Sequence, residues 1–325
     1  MTQFKRSFLI FAVLALGGLG YLASQNAVLR NLVWIIGYER VLDRYEQTDT
    51  TNTDITETTD ATGKTADVLS AFFGLDNALP YLSDLVLCKG AGGKDGMPAV
   101  FSHELNPATV DPGDFKITTA SGEAGTVTCL TMAPADDPGE LRTVLLVGEF
   151  GSAKDQPIKL EIVGNILSRD ETLNFKGASV AVTALEDGPT MVFSERIPQE
   201  QWNLEASGTR LPWGGGTGCP IGTSQIVRVA WDGGITKPGG ASADDQIRDL
   251  YQVTIGKPDL SMIQITPFAL ADLSDGDNFH SLCLDTADPA VSVSFPEGYL
   301  TDPRDDLNPA TDIAVPREPA PVAPQ

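Results

Sequence analysis

Between residues 99 and 295 clusters of glycine, proline, aspartate and serine cut the chain into short apolar segments, leaving room for strands but not for long helices. Ile158, Leu160 and Ile162 alternate with Lys159, Glu161 and Val163, which turns one face inward and the other outward. Segments of this kind fall at 99–102, 115–119, 126–131, 143–148, 158–163, 178–184 and 191–194, and again at 225–231, 250–255, 262–266 and 290–295. Asp111-Pro112-Gly113, Ser121-Gly122, residues 134–139 and Asp187-Gly188-Pro189 supply turns between them. The expected fold is mainly β: an immunoglobulin-like β-sandwich over 66–187, then a second, irregular β domain over 188–314 broken by glycine- and proline-rich loops at 212–220 and 232–245. One larger sandwich is the alternative. Residues 66–82, with Val68, Leu69, Phe72 and Phe73, carry a mild helical pattern and are expected to open the first domain as a short helix.

The ends of the chain read differently. Lys5-Arg6 precedes an uncharged apolar run over 8–23, the pattern of an export signal. The run falls short of the ~20 residues that span a bilayer comfortably, so a cleaved signal peptide and an uncleaved membrane anchor both stand for 1–24. Val28, Leu29, Leu32, Val33 and Ile36 recur at helical spacing with Trp34 and Tyr38 among them, so 25–46 reads as an amphipathic helix suited to a membrane interface. The Thr/Asp-rich stretch 47–65 has almost no apolar residue to bury and is expected to be a flexible linker. The Pro-rich end, 315–325, is expected to be an extended, disordered tail.

Charge narrows the partners. Asp+Glu total 44 against 22 Lys+Arg, a formal net charge of -22, and such a surface repels nucleic acid. The acidity fits solubility in a salty exterior or binding of divalent cations. The expected partners are a membrane, met through the N-terminal segment, and an envelope protein or a glycan.

The run from Val100 to Phe115, Val-Phe-Ser-His-Glu-Leu-Asn-Pro-Ala-Thr-Val-Asp-Pro-Gly-Asp-Phe, followed by Ile117-Thr118-Thr119 and Ser121-Gly122, resembles bacterial immunoglobulin-like modules. In those modules Phe-Ser-x-x-Leu-(Asp/Asn)-Pro-x-Thr-Val leads through a short loop to Asp-Phe-x-Val and a glycine. The resemblance covers about 88–185. It implies a β-sandwich in which Phe101 and Phe115 anchor two strands in one core, and a role as a spacer or binding unit on an exported protein. The acidic loop 136–140 departs from the shortest versions.

Cys88, Cys129, Cys219 and Cys283 are far apart, with no C-x-x-C, which removes zinc-ribbon and thioredoxin-like readings. Export implies an oxidising compartment where such cysteines pair. Of three possible connectivities, one bridge per domain gives Cys88–Cys129 and Cys219–Cys283.

Two late segments carry the densest oxygen-ligand chemistry. Asp275, Asp277 and Asn278 lie in one, Asp302, Asp305 and Asp306 in the other, and calcium takes such carboxylate and amide oxygens from turning loops. Two readings stand for them: calcium as the one candidate cofactor, and structural turns and caps, because the EF-hand pattern fails at Phe279 and Asp–Gly and Asp–Pro runs are ordinary turn chemistry. Trp213 and Trp231 are the candidate ligand-stacking residues. Of the histidines, His103 reads as a surface residue and His280 as a hydrogen-bonded structural one. Neither G-x-S-x-G nor a P-loop is present, so no catalytic residue is assigned. The expected role is an exported, membrane-tethered, non-catalytic protein of binding, adhesion or cell-envelope scaffolding. The alternative is a secreted hydrolase or carbohydrate-binding accessory protein using Trp213, Asp275, Asp277 and His280.

Overall fold

The alternating segments fold as strands, and the protein is mainly β. The computed structural model describes residues 47–81, 83–207, 216–273 and 276–316. The expected signal or anchor (1–24), the amphipathic helix (25–46), Trp213, Asp275 and residues 317–325 lie outside the described residues. Among the described residues no helix is long and apolar enough to cross a membrane.

The first lobe is a seven-stranded sheet. Its strands are β1 (Val68–Phe72), β2 (Asp95–Phe101), β3 (Phe115–Thr119), β4 (Thr126–Thr131), β5 (Thr143–Glu149), β6 (Pro157–Ile162) and β7 (Ser179–Thr183), with a short helix α1 (Ser83–Val86) between β1 and β2. The order is β3-β6-β7-β1-β2-β5-β4, antiparallel except where β1 runs parallel to β7. Phe115, Ile117 and Leu160 from one end of that order share a core with Leu130 and Leu146 from the other, so the sheet curls over itself. Phe101 and Phe115 both enter this core, and Phe101 meets Phe175 edge to face at 5.2 Å. Between them Asn106 and Asp111 cap two 3-10 turns, Pro107–Thr109 and Pro112–Asp114, by accepting from the backbone N–H groups of Ala108 and Gly113.

The second lobe is two four-stranded antiparallel sheets facing each other. β8 (Met191–Arg196), β9 (Gln225–Trp231), β12 (Ala269–Ala271) and β13 (Phe279–Leu284) form one, in the order β12-β13-β9-β8. A short helix α2 (Asp245–Arg248) precedes the other, built of β10 (Gln252–Gly256), β11 (Met262–Ile265), β14 (Ala290–Phe295) and β15 (Thr311–Ala314) in the order β11-β10-β14-β15. Val227, Val229, Trp231, Leu282 and Leu284 pack against Val253, Ile255, Val293 and Phe295. Burial of each such large side chain stabilises the fold by roughly 1.5–3 kcal/mol.

β9 is buried along its whole length. The pleat explains what covers each face. Val227, Val229 and Trp231 point into the second lobe's own core, whereas Ala230 packs with Phe193 and Phe279 against Val100 of β2. Val100 lies on the back of the first lobe's sheet, opposite the face that carries Ala99 and Phe101 into the curled core. The two lobes therefore meet back to back across β2, β8 and β9.

Both disulfides form as expected, Cys88–Cys129 in the first lobe and Cys219–Cys283 in the second, and no cysteine is free. Three local expectations need correction. Residues 68–72 are strand, not helix, because β1 sits inside the sheet between β2 and β7, where Val68, Ala71 and Phe72 are all buried. The stretch 47–65 lies on the first lobe instead of swinging free. It buries few apolar groups but offers backbone partners: Thr48 N–H donates to Ala108 O at 2.8 Å, and Asn174 Nδ2 donates to Ile55 O at 2.9 Å. Val315, placed in the expected tail, is buried in the second core, and its N–H donates to Val291 O at 2.7 Å.

Candidate functional site

The seam between the lobes carries buried charge. Strand register sets Glu195 of β8 directly opposite Arg228 of β9, and Arg228 Nη1 donates to Glu195 Oε1 at 3.4 Å. The same guanidinium reaches into the first lobe, where its Nη2 donates to Pro138 O at 3.2 Å and stands 3.9 Å from Glu140 Oε1. Arg142, just before β5, completes the row. Its Nη2 is 3.7 Å from Glu195 Oε2, its Nη1 donates to Ser102 O at 2.9 Å, and its guanidinium lies 3.9 Å over the Phe193 ring. Glu140 is 1% exposed and Arg142 4%, so these charges have traded water for one another. Burial works against the charge on Arg228, but Glu140 and Glu195 together outweigh it and hold the guanidinium protonated.

Beside this row three carboxylates converge. Asp137 and Glu140 stand on the loop between β4 and β5, Asp272 just after β12, and one oxygen of each lies within 4.8 Å of the others. Each is held from its own side. Asp137 Oδ2 accepts the Gly216 N–H at 2.8 Å. The Asp272 N–H donates to Thr217 O at 2.7 Å, with Asp272 in the left-handed region at φ 64°. Gly139 lets the β4–β5 loop lie on Arg228: its φ is +92°, and a Cβ there would collide with the guanidinium. Burial, reinforced by Asp272 and Asp277, pushes the Glu140 carboxyl well above its ordinary range. The three carboxylates line a cleft of about 180 Å³ together with Trp202, Asn203 and Ser281.

The described residues singled out from the sequence are engaged in other contacts. Trp231 is fully buried, edge to face with Phe295 at 5.5 Å, and has no open face for a ligand. Its Nε1 donates to Tyr251 Oη, which also bonds His280 Nδ1 at 2.8 Å. His280 is itself buried, and burial pulls its pKa down to about 4. Asp277 Oδ1 accepts the Phe279 N–H at 2.8 Å and Asn278 Nδ2 donates to Trp231 O at 2.6 Å, contacts that start β13. Asp302 Oδ1 accepts the N–H groups of Arg304 and Asp306, each at 2.9 Å, closing a turn in which Asp305 takes φ 68° and Asp306 pairs with Arg304 at 3.3 Å. Among the described residues it is not these carboxylates but Asp137, Glu140 and Asp272 that approach as a metal-ligand set. The sequence did flag the acidic loop 136–140. Nothing in it announced that Asp272, more than 130 residues later, would close on that loop.

A second constellation has the elements of a nucleophilic triad without its freedom. Ser102 Oγ is 2.9 Å from His103 Nδ1, and His103 Nε2 is 3.2 Å from Asp60 Oδ2. Ser102 is 2% exposed, and its hydroxyl donates to Thr65 O at 2.7 Å while accepting from the Asp67 N–H at 2.9 Å. The hydroxyl is therefore committed to the backbone that turns 65–67 into β1. His103, expected at the surface, has a side chain only 14% exposed, because the segment carrying Asp60 covers it.

No protein-family model and no curated protein sequence matches the chain. Among solved structures, the N-terminal part of the bacterial S-layer protein SbsC superposes with a TM-score of 0.26 at 11% identity, over 78% of this chain and 45% of that one. This chain thus spans less than half of that structure, and such a score establishes neither a shared fold nor a shared role. The structure defines a disulfide-bonded β protein whose two lobes meet across a buried charged seam.

Proposed function

We propose that this is an exported, membrane-tethered, non-catalytic protein of the cell envelope, acting in binding, adhesion or scaffolding, with an immunoglobulin-like first lobe. The observation that carries the reading is the pair of disulfides, one per lobe, because such bonds persist in oxidising compartments and are rare in the cytosol. The apolar run behind Lys5-Arg6 supplies the route, either as signal or as anchor. An acidic surface keeps the protein away from nucleic acid and leaves an envelope protein or a glycan as its partner. The back-to-back lobes suit a spacer that must keep its shape outside the cell.

The test is to express the full chain in a bacterial host, block free thiols before lysis, and fractionate the cells. The expected result is a chain in the membrane or exported fraction with no blocked cysteine, and a 1–24 deletion that stays in the cytosol with all four blocked. A full-length chain found in the cytosol with reduced thiols would overturn the proposal.

A further inference from the structure

We propose that Asp137, Glu140 and Asp272 are the carboxylate ligands of a calcium site that fastens the two lobes together. The spacing fits. An ion bonded to oxygen at about 2.4 Å reaches oxygens up to about 4.8 Å apart, and calcium accepts an irregular oxygen set more readily than magnesium, which demands near-octahedral geometry and dehydrates reluctantly. The three carboxylate oxygens here lie within 4.8 Å of one another.

The second observation is independent of the clustering. Glu140 Oε2 and Asp272 Oδ2 receive no hydrogen bond from the described residues, although Glu140 is 1% and Asp272 8% exposed. Buried carboxylate oxygens are nearly always satisfied, and one cation satisfies both. Charge points the same way. Asp272 and Asp277 both add to the negative field at the buried Glu140 carboxyl. A divalent ion relieves that field. A proton shared by Glu140 and Asp272 would join those two without a metal, and a site of that kind would not respond to calcium.

The cleft gives the ion an entry path and room for water in the remaining coordination positions. A site with three carboxylates and open positions belongs with the weaker extracellular modules, at a Kd on the order of 0.1–1 mM. Binding follows from the ligand geometry alone. Occupancy in the cell rests on the exported location proposed above, so an intracellular chain that binds calcium in vitro would sink that proposal and leave this one standing.

The experiment is thermal melting of the purified full chain in EDTA, in MgCl₂ and in CaCl₂ at about ten times the expected Kd. Calcium is expected to raise Tm by about 2–3 °C, and magnesium by less. Glu140→Gln and Asp272→Asn should abolish the calcium shift. Asp305→Asn should keep the shift. Terbium luminescence of the wild-type chain, sensitised by Trp202 in the same cleft and displaced by calcium, gives a readout that does not depend on variants folding; Trp202→Phe should quench it. Absence of both the calcium shift and the terbium signal, or a full shift surviving in Glu140→Gln, would overturn the proposal. So would a shift lost in Asp305→Asn, which would move the ion to the 302–306 turn.

Discussion

Arg228 joins both lobes through one planar group, bonding Glu195 on its own sheet and Pro138 O on the other lobe. Removing it leaves Glu140 buried without its counter-charge and Glu195 with Arg142 alone, and breaking a buried pair costs about 3–5 kcal/mol. Arg228→Met should therefore lower stability by about that amount in denaturant titration; a loss below about 1 kcal/mol would show that the seam adjusts without its cation. His280 presents the opposite problem, a base kept neutral. Its pKa falls from 6.5 to about 4 through burial against Tyr251. Below pH 6.5 the unfolded chain takes up a proton that the folded one refuses, so this contribution is present above pH 6.5 and is lost as pH falls towards 4. The loss amounts to roughly 3 kcal/mol. His280→Phe should flatten the stability curve between pH 6.5 and 4, and an unchanged slope would assign the acid sensitivity to another group.

At the scale of elements, the loop between β4 and β5 does the most with the fewest residues. It carries Asp137 and Glu140, offers Pro138 O to Arg228, and bends at Gly139 so that the guanidinium can lie on it. Gly139→Ala must bear both a left-handed backbone, at about 1–3 kcal/mol, and the displacement of Arg228. Gly122 has a similar φ of +91° with nothing within 4 Å of an added Cβ, so Gly122→Ala bears the backbone strain alone. Gly139→Ala should lower Tm by more than Gly122→Ala, and equal losses would mean that Arg228 moves aside freely. The strands teach a related lesson. β3, β4, β9 and β14 fall at the residues the sequence marked as strands; β3 alternates, with Phe115, Ile117 and Thr119 buried, and β9 stands out by its apolar run although both of its faces are covered. β13 was not legible: in Phe279-His280-Ser281-Leu282-Cys283-Leu284 both faces are buried and polar residues interrupt the apolar ones, so no alternation marks it. β1 was hidden for the same reason, since a strand covered on both sides shows no alternation.

At the largest scale, across residues 47–316, the seam joins the two cores. Val100, Ala230, Phe193 and Phe279 form an apolar patch between the lobes, and the buried charges continue from it. Calorimetry at neutral pH should give one endotherm, with calorimetric and van't Hoff enthalpies in agreement; two resolved transitions would show that the lobes unfold separately. Some of this was written in local sequence. Period-two alternation, turn clusters and widely spaced cysteines sufficed for a β protein with one bridge in each half, because strand faces and turns are set by neighbouring residues and each half holds just two cysteines. The candidate site was not legible in the same way. Asp137, Glu140 and Asp272 acquire meaning only as a group, and their approach depends on two sheets packing back to back, a long-range event that no local pattern of residues encodes. The late acidic turns, conspicuous as sequence, are spent on starting β13 and closing the 302–306 turn, since an aspartate beside a turning backbone satisfies the nearest N–H first.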